Sequence, residues 1–446
     1  MYKEAIQDAI SMHELPSKWS SEVLNEAKTA ANKKKIARYR KDLRKLNFAT
    51  IDGEDAKDFD DAVYCVKNSN SFTLYVAIAD VSFYVTPGSK LDLEAKKRGT
   101  SIYFPETVIP MLPENLSNGI CSLRPNEDRC SIICEMSIGL DGKRNKYKFY
   151  SGLINSKARL TYNQVEKHLN KSSDIKQTGV SDSIKHLKDL TILRLKLRNQ
   201  RKALEINPIE TTLELSESKE VKNIVIKKSL FSHKLVEESM LLANESAAEF
   251  MQERLNLGVY RIHEDPDPSK LEALKKHFKI TPKLIKKLSP LEVVNLCLDQ
   301  ANKKNDSTGQ ILILQSLARA EYSTNNLGHF GLQLTQYSHF TSPIRRYPDL
   351  LVHRLINSSL AQKKIQTRQN ELQDECENSS MLERRAEKAS RQVEQVLICC
   401  YLCKKIGSTM DGVVTGVTDF GLFVNLEPYF ISGLLHVTDL PDDRYY

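Results

Sequence analysis

The sequence predicts an α+β fold, with a β-sheet core and surrounding long helices, followed by the start of a small β-barrel. From residue 48 to about residue 156, short runs rich in Val, Ile, Tyr and Phe alternate with Asn, Ser, Gly and Pro clusters, a pattern typical of strands. Leucines recur at helical spacing over about 182–204, 233–255 and 372–405. From about residue 407, apolar runs punctuated by glycine indicate the short strands of an OB-type barrel.

These changes in sequence pattern predict three segments along the chain. Residues 1–47 form a helical and basic lead-in, which Pro16 interrupts. Residues 48–406 form the large α+β domain, in which residues 211–228 alternate like a β-hairpin. Residues 407–446 are too few for a complete five-stranded barrel, so we expect a partial OB-fold there.

The composition is that of an ordinary globular protein. Apolar residues make up 40% and charged residues 27% of the 446 residues, and no apolar run approaches the roughly 20 residues that a membrane span needs. The amino terminus lacks the apolar core of a signal peptide, and nine cysteines without paired spacing indicate a reducing compartment. We therefore expect a soluble cytoplasmic protein. The net charge of +8 is compatible with a polyanionic partner but does not identify one.

Residues 50–62 crowd carboxylates between two apolar runs. The ten positions from Asp52 to Asp61 hold six acidic residues: Asp52, Glu54, Asp55, Asp58, Asp60 and Asp61. Like charges at this density repel unless a cation neutralises them, and oxygen ligands favour magnesium or manganese over zinc. Carboxylate-bound magnesium suits the hydrolysis of a phosphodiester. On composition alone, a solvated acidic loop explains the segment about as well.

A second segment, residues 328–354, places adjacent arginines before a predicted helix. Arg345 and Arg346 follow Ser342 and Pro343 in a turn. Arginine forks match phosphate oxygens, and a helix amino terminus favours an anion. The pattern predicts a phosphate clamp, and a structural turn with ordinary ion pairs is the alternative.

Together the two segments resemble the ribonuclease II family, whose catalytic domain is the RNB domain. TIDGEDAKDFDDAVY at residues 50–64 resembles the catalytic motif of that family, and GHFGLQLTQYSHFTSPIRRYPDLLVHR at residues 328–354 resembles its signature. The resemblance continues in GTSIYFP and RLTYNQV, and the final segment resembles the start of an S1-type RNA-binding domain. It covers nearly everything from Phe48 to Arg354.

The resemblance implies a 3′-to-5′ exoribonuclease that releases nucleoside 5′-monophosphates from single-stranded RNA, or from structured RNA with a 3′ overhang. It implies catalytic residues, of which the aspartates also hold Mg²⁺ or a substituting Mn²⁺, at Asp52, Asp58, Asp60, Asp61 and Arg345. It implies RNA-binding roles for Tyr103, Tyr162 and Arg346. Glu54 and Asp55 have no catalytic counterpart. Family members usually act as monomers on RNA, away from membranes, and some associate with ribosomes or with RNA-degradation machinery.

The sequence leaves two alternatives open. We expect the chain to lack the cold-shock domains that precede the family's catalytic domain and to carry only a partial S1-type segment, and it could then be a catalytically impaired RNA-binding protein derived by truncation. A generic magnesium phosphodiesterase that acts on DNA or small nucleotides is the other. Because all four aspartates and Arg345 are present, we expect an active ribonuclease.

Overall fold

The computed structural model describes most of the chain. The described residues are 1–33, 39–206, 210–227, 229–280, 288–304, 306–363, 367–427 and 429–441. Part of the predicted basic lead-in, residues 34–38, lies outside them.

A mixed seven-stranded sheet forms the centre of the large domain. Its strands are β1 (Lys41–Asp42), β2 (Ala49–Asp52), β3 (Asp61–Lys67), β4 (Ser71–Ala79), β7 (Asp128–Gly139), β8 (Arg144–Asn155) and β9 (Ala158–Thr161). Their order is β1-β8-β7-β4-β3-β2-β9. The outer pairs β1–β8 and β2–β9 are parallel, and the other neighbours are antiparallel.

Smaller β elements surround this sheet. Three two-stranded antiparallel sheets are formed by β5 (Ile102–Phe104) with β6 (Thr107–Ile109), β10 (Thr211–Leu215) with β11 (Val221–Ile226), and β12 (Tyr260–Ile262) with β13 (Glu321–Ser323). A separate antiparallel sheet contains β14 (Gly412–Thr418), β15 (Gly421–Leu426) and β16 (Ile431–His436). The predicted hairpin at 211–228 is therefore confirmed over its described residues.

Helices cover the sheet. They are α1 (Tyr2–Met12), α2 (Ser21–Ala31), α3 (Val81–Tyr84), α4 (Lys90–Arg98), α5 (Tyr162–Leu169), α6 (Thr178–Gln200), α7 (Phe231–Leu255), α8 (Pro268–His277), α9 (Pro290–Lys304), α10 (Ser307–Ser316), α11 (Tyr347–Leu360) and α12 (Gln369–Cys403), with a short π-helix at Asn115–Ile120 and a 3₁₀ turn at Val437–Asp439. The α+β fold predicted from the sequence is confirmed. None of the described helices is long and apolar enough to cross a lipid bilayer.

Both faces of the sheet are buried, because successive residues of a strand point to opposite sides. On β4, Leu74 and Val76 pack into a core that also contains residues of α6 and α7, while Ala77 and Ala79 pack into a second core that includes residues of α2 and α4. This two-sided burial explains why the sequence of β4 is nearly continuously apolar.

The lead-in is more integrated than the sequence predicts. Helix α2 packs against α4, and α1 packs against α12. Strand β1 lies before the predicted boundary at residue 48 and pairs with β8. A strand of two residues is too short to show a periodicity, so it could not be predicted from the sequence.

Candidate active site

The four predicted aspartates lie at one edge of the central sheet. Asp52 ends β2 and Asp61 begins β3, and these antiparallel neighbours bring the two residues to the same edge. Asp58 and Asp60 lie in the connecting loop, residues 53–60. The crowding seen in the sequence therefore becomes an acidic loop between two paired strands.

Ser122 fixes the second half of the acidic loop. The Phe59 N–H donates to Ser122 Oγ at 2.9 Å, and the same hydroxyl donates to the Lys57 carbonyl at 2.8 Å. The Ala79 N–H donates to the Asp60 carbonyl at 2.8 Å, which ties the loop to the end of β4. These bonds position the Asp60 side chain, which is almost fully buried.

Arg159, on β9, holds the first half of the loop. Its Nη2 donates to the carbonyl oxygens of Gly53 and Glu54, at 2.7 and 2.5 Å. Burial raises the pKa of Asp52, and the positive charge of Arg159 opposes part of that increase. The sequence reasoning assigned no role to Arg159, although it begins the RLTYNQV segment.

The arginine turn reaches the acidic loop through Asp60. The Ile344 N–H donates to Asp60 Oδ1 at 2.8 Å, and Arg345 Nε lies 3.7 Å from Asp60 Oδ2. The Arg345 Nη2 donates to Ser342 Oγ at 3.1 Å, and the side chain remains 44% exposed, so part of its guanidinium can face a ligand. Two segments that lie far apart in the sequence therefore meet at one buried carboxylate.

Arg346 occupies a different environment from its neighbour. Its side chain is 18% exposed, and its Nη2 donates to Asp349 Oδ1 at 2.8 Å. Asp349 is fully buried and also accepts the Ser342 N–H at 2.8 Å. This pairing turns Arg346 into the interior of the turn, which argues against the predicted contact with RNA and favours a structural role. The RNA-binding role of Arg346 remains an untested prediction.

Tyr103 lies beside the acids on the short strand β5. Its hydroxyl donates to Asp58 Oδ2 at 3.4 Å, and the residue is 47% exposed. The Ser101 N–H, two residues earlier, donates to the Arg345 carbonyl at 2.9 Å. An exposed aromatic ring is thus tied both to the acidic loop and to the arginine turn.

Tyr162 lies at another side of the acids, as the first residue of α5. Thr161 begins this helix with a capping box to Gln164, which fixes where Tyr162 lies. Its ring stacks on His233, with centroids 4.1 Å apart and planes 18° apart. Both rings line an open cavity of about 390 Å³ that also includes Asp52. The sequence reasoning did not identify His233.

Three carboxyl groups at this edge, those of Asp52, Asp60 and Asp61, have raised pKa values. Burial, together with the neighbouring Asp58, raises the pKa of Asp52 to about 6. Burial and the charge of Asp52 raise the pKa of Asp61 to about 8, and burial raises the pKa of Asp60 well above its usual value. A cation at this edge would stabilise the ionised carboxylates against both the burial and the mutual repulsion that raise these pKa values.

The carboxylate oxygens at this edge fit a hard cation whose remaining ligands would come from substrate and water. Asp52 Oδ2 and Asp60 Oδ2 are buried and accept no hydrogen bond from the described residues. Within the described ranges, however, no three Asp, Glu, His or Cys side chains are already grouped as a metal cage. Magnesium commonly takes one or two carboxylates and keeps waters or phosphate oxygens as its other ligands, so a preformed cage is not required.

Comparisons with known proteins agree with this arrangement. The family profile described as the RNB domain matches residues 40–362, and the S1 RNA binding domain matches residues 404–446. The protein named Ribonuclease R from Vibrio parahaemolyticus is 39% identical over 98% of this chain and 55% of its own length. The chain therefore spans little more than half of that curated relative.

Solved structures show the same similarity in three dimensions. Mycoplasma genitalium RNase R in complex with ribose-methylated single-stranded RNA superimposes with a TM-score of 0.94 at 31% identity, covering 99% of this chain and 71% of that one. The same protein in complex with double-stranded RNA gives a TM-score of 0.91 at 30% identity, covering 97% of this chain and 79% of that one.

Proposed function

Because the chain belongs to the RNB domain family, we propose that it is a 3′-to-5′ exoribonuclease that hydrolyses single-stranded RNA to nucleoside 5′-monophosphates. The observation that carries the proposal is the meeting of the acidic loop and the arginine turn at Asp60. Metal-assisted hydrolysis of a phosphodiester uses carboxylates that bind a cation and a guanidinium that binds the phosphate. This edge of the sheet brings both kinds of group together.

Each side chain has a role in this proposal. Asp52, Asp58, Asp60 and Asp61 would hold Mg²⁺, for which Mn²⁺ can substitute, and the ion would supply an activated water and neutralise charge on the phosphate. Arg345 would bind the non-bridging oxygens of the scissile phosphate through its exposed N–H groups. Asp60 would in addition hold Arg345 beside the acidic loop, because Asp60 Oδ1 accepts a hydrogen bond from the N–H of the preceding residue, Ile344.

The aromatic residues support a substrate with unpaired bases. A Tyr103 ring beside the acids would stack on the terminal base whatever its identity, as suits degradation without sequence preference. Tyr162, on the His233 ring, would line the RNA path at Asp52. The Mycoplasma genitalium RNase R structures in complex with single- and double-stranded RNA support RNA as the partner. We further propose a cytoplasmic monomer that takes part in RNA turnover and quality control, acts on structured RNA with a 3′ overhang, and associates with ribosomes or degradation machinery.

Product analysis tests the reaction class. Uniformly labelled RNA incubated with the protein and Mg²⁺ should yield nucleoside 5′-monophosphates on thin-layer chromatography, while DNA of the same sequence should remain intact. Protein recognition of the 2′-hydroxyl separates the two substrates. Equal hydrolysis of DNA would favour a generic phosphodiesterase, and nucleoside 3′-monophosphates would rule out the proposed chemistry.

We expect magnesium binding to weaken as the pH falls. Asp52 and Asp61 have pKa values raised to about 6 and 8, so Mg²⁺ must displace protons at lower pH. Without metal, a carboxyl whose pKa is raised by folding stabilises the folded state fully at a pH below its pKa in the unfolded chain, about 4. This stabilisation is lost as the pH rises through the pKa values in the folded protein, about 6 for Asp52 and about 8 for Asp61. The increase in melting temperature that Mg²⁺ causes should therefore grow from pH 5.5 to pH 8.

Differential scanning fluorimetry in EDTA and in Mg²⁺ measures this effect. In an Asp52→Asn variant the Mg²⁺-induced increase should be smaller and should depend less on pH. An increase that is the same at every pH in the parent protein would contradict metal binding at these carboxyls.

A further inference from the structure

The short hairpin β5–β6 carries Tyr103 on one side and apolar residues on the other. Ile102 and Phe104 are buried, whereas Tyr103 between them points toward Asp58. This alternation follows from strand geometry, in which successive side chains leave on opposite faces. The position of the Tyr103 ring therefore depends on what holds the opposite face of the hairpin.

That opposite face packs on the amino-terminal helix α1 and on α12. The shared apolar cluster contains Ala5, Ala9, Leu15, Ile102, Phe104, Ile109, Ala386, Ala389, Val393 and Leu397. Two strands of three residues are too short to be stable by themselves. The hairpin thus depends on these two helices for its placement.

Tyr2, the first residue of α1, contacts the hairpin turn directly. Its hydroxyl donates to the Pro105 carbonyl and lies 2.8 Å from Thr107 Oγ1. A second contact comes from Lys219, which pairs with Glu106 in the same turn. Lys219 and Glu106 are both nearly half exposed, so we expect their ion pair to contribute little and Tyr2 to dominate.

We propose that α1 is a positioning element for Tyr103, acting through Tyr2, and that it sets the length at which RNA degradation stops. The inference rests on the proposed exoribonuclease function. A long RNA has many contacts along its strand, so it tolerates a loosely held terminal base. A short RNA near the end of degradation has few contacts besides the Tyr103 ring, so it dissociates earlier when the ring moves away from Asp58.

Tyr2→Phe and Tyr2→Ala test the proposal beside a control at the residue that follows the same helix. The control is His13→Ala, because His13 Nε2 contacts Gln392 Oε1 on α12 at 2.8 Å and forms no described hydrogen bond to the hairpin. Tyr103→Ala serves as the reference for complete loss of the ring. Hydrogen–deuterium exchange of residues 102–109 reports the hairpin without requiring activity, and a gel of 5′-labelled RNA reports the shortest product.

We expect amide exchange in residues 102–109 to rise at least about five-fold in Tyr2→Phe, the factor that loss of the bond to the Pro105 carbonyl would give by itself, and more in Tyr2→Ala. The hydrolysis rate on long RNA should stay within about two-fold of the parent, since the acids and Arg345 are untouched. The end product should be longer by at least one nucleotide in Tyr2→Ala, as in Tyr103→Ala, and unchanged in His13→Ala.

Unchanged exchange in both Tyr2 variants would overturn the proposal, and so would raised exchange with an end product of the parent length. If the parent protein hydrolyses no RNA, the proposed function fails and product length is lost as a readout. The exchange measurement still decides whether Tyr2 positions the hairpin. An equal rise in exchange in His13→Ala would contradict a specific role for Tyr2.

Discussion

Replacing Asp60 with Asn is expected to reduce RNA hydrolysis by about 1,000-fold while RNA affinity stays within about three-fold of the parent. The Asn side chain keeps an oxygen that can accept the Ile344 N–H, so the arginine turn should remain attached to the acidic loop. What it loses is the negative charge that faces Arg345 and that would hold a cation. The expected loss therefore falls on the chemical step.

Single-turnover hydrolysis of RNA and filter binding of the same RNA measure the two quantities separately. Glu54→Gln is the matched control, because Glu54 belongs to the same loop, is exposed, and accepts a hydrogen bond from Asn163 Nδ2 at 3.0 Å. It should keep activity within about two-fold. Equal losses in Asp60→Asn and Glu54→Gln would indicate that only the overall charge of the loop matters.

Substitutions of the two adjacent arginines are expected to affect different properties, activity for Arg345 and stability for Arg346. Arg345→Ala is expected to lower the rate of hydrolysis by about 100- to 1,000-fold with little change in stability, because part of its guanidinium is available to the phosphate. Arg346→Ala removes the partner of the fully buried Asp349, and the uncompensated charge should lower the free energy of unfolding by about 3–5 kcal/mol.

Urea denaturation and single-turnover assays on both variants decide between these roles. Arg345→Lys, which keeps the charge but loses the fork, should retain part of the activity that Arg345→Ala loses. If Arg346→Ala were as stable as the parent but bound RNA weakly, Arg346 would contact RNA as the sequence resemblance implies, and the structural role would be wrong.

The acidic motif could be predicted from the sequence because its members lie within ten residues. The sequence shows these acids between two apolar runs, and the structure places Asp52 and Asp61 at one edge because β2 and β3 are antiparallel neighbours. Composition alone left a solvated loop and a metal site equally plausible. The resemblance to the ribonuclease II family, which the comparisons confirm, favours the metal site, and metal binding stays a prediction.

Contacts between distant segments could not be predicted in this way. The bond from the Ile344 N–H to Asp60, and the bonds from Arg159 to the loop carbonyls, depend on how the sheet is assembled. For the same reason the sequence could not show that the Arg345 side chain is half exposed whereas the Arg346 side chain is paired inside the turn. Periodicity reports which face of an element is buried but not which partner covers it.

The amino-terminal helix illustrates the same limit. Its charged sequence resembles a linker, and its few buried positions, such as Ala5 and Ala9, are too small to give a strong apolar signal. Small residues nevertheless allow α1 to approach α12 and the β5–β6 hairpin closely. A segment that looks peripheral in the sequence thereby comes to touch the turn next to Tyr103.

The most direct test of the account is a time course with 5′-labelled single-stranded RNA and Mg²⁺, run beside Asp60→Asn and an EDTA control. The account predicts that the full-length band shortens progressively to a short end product, and that either control abolishes this shortening. Intact RNA in the parent reaction, with clear binding in a filter assay, would contradict it and would favour a catalytically impaired RNA-binding protein.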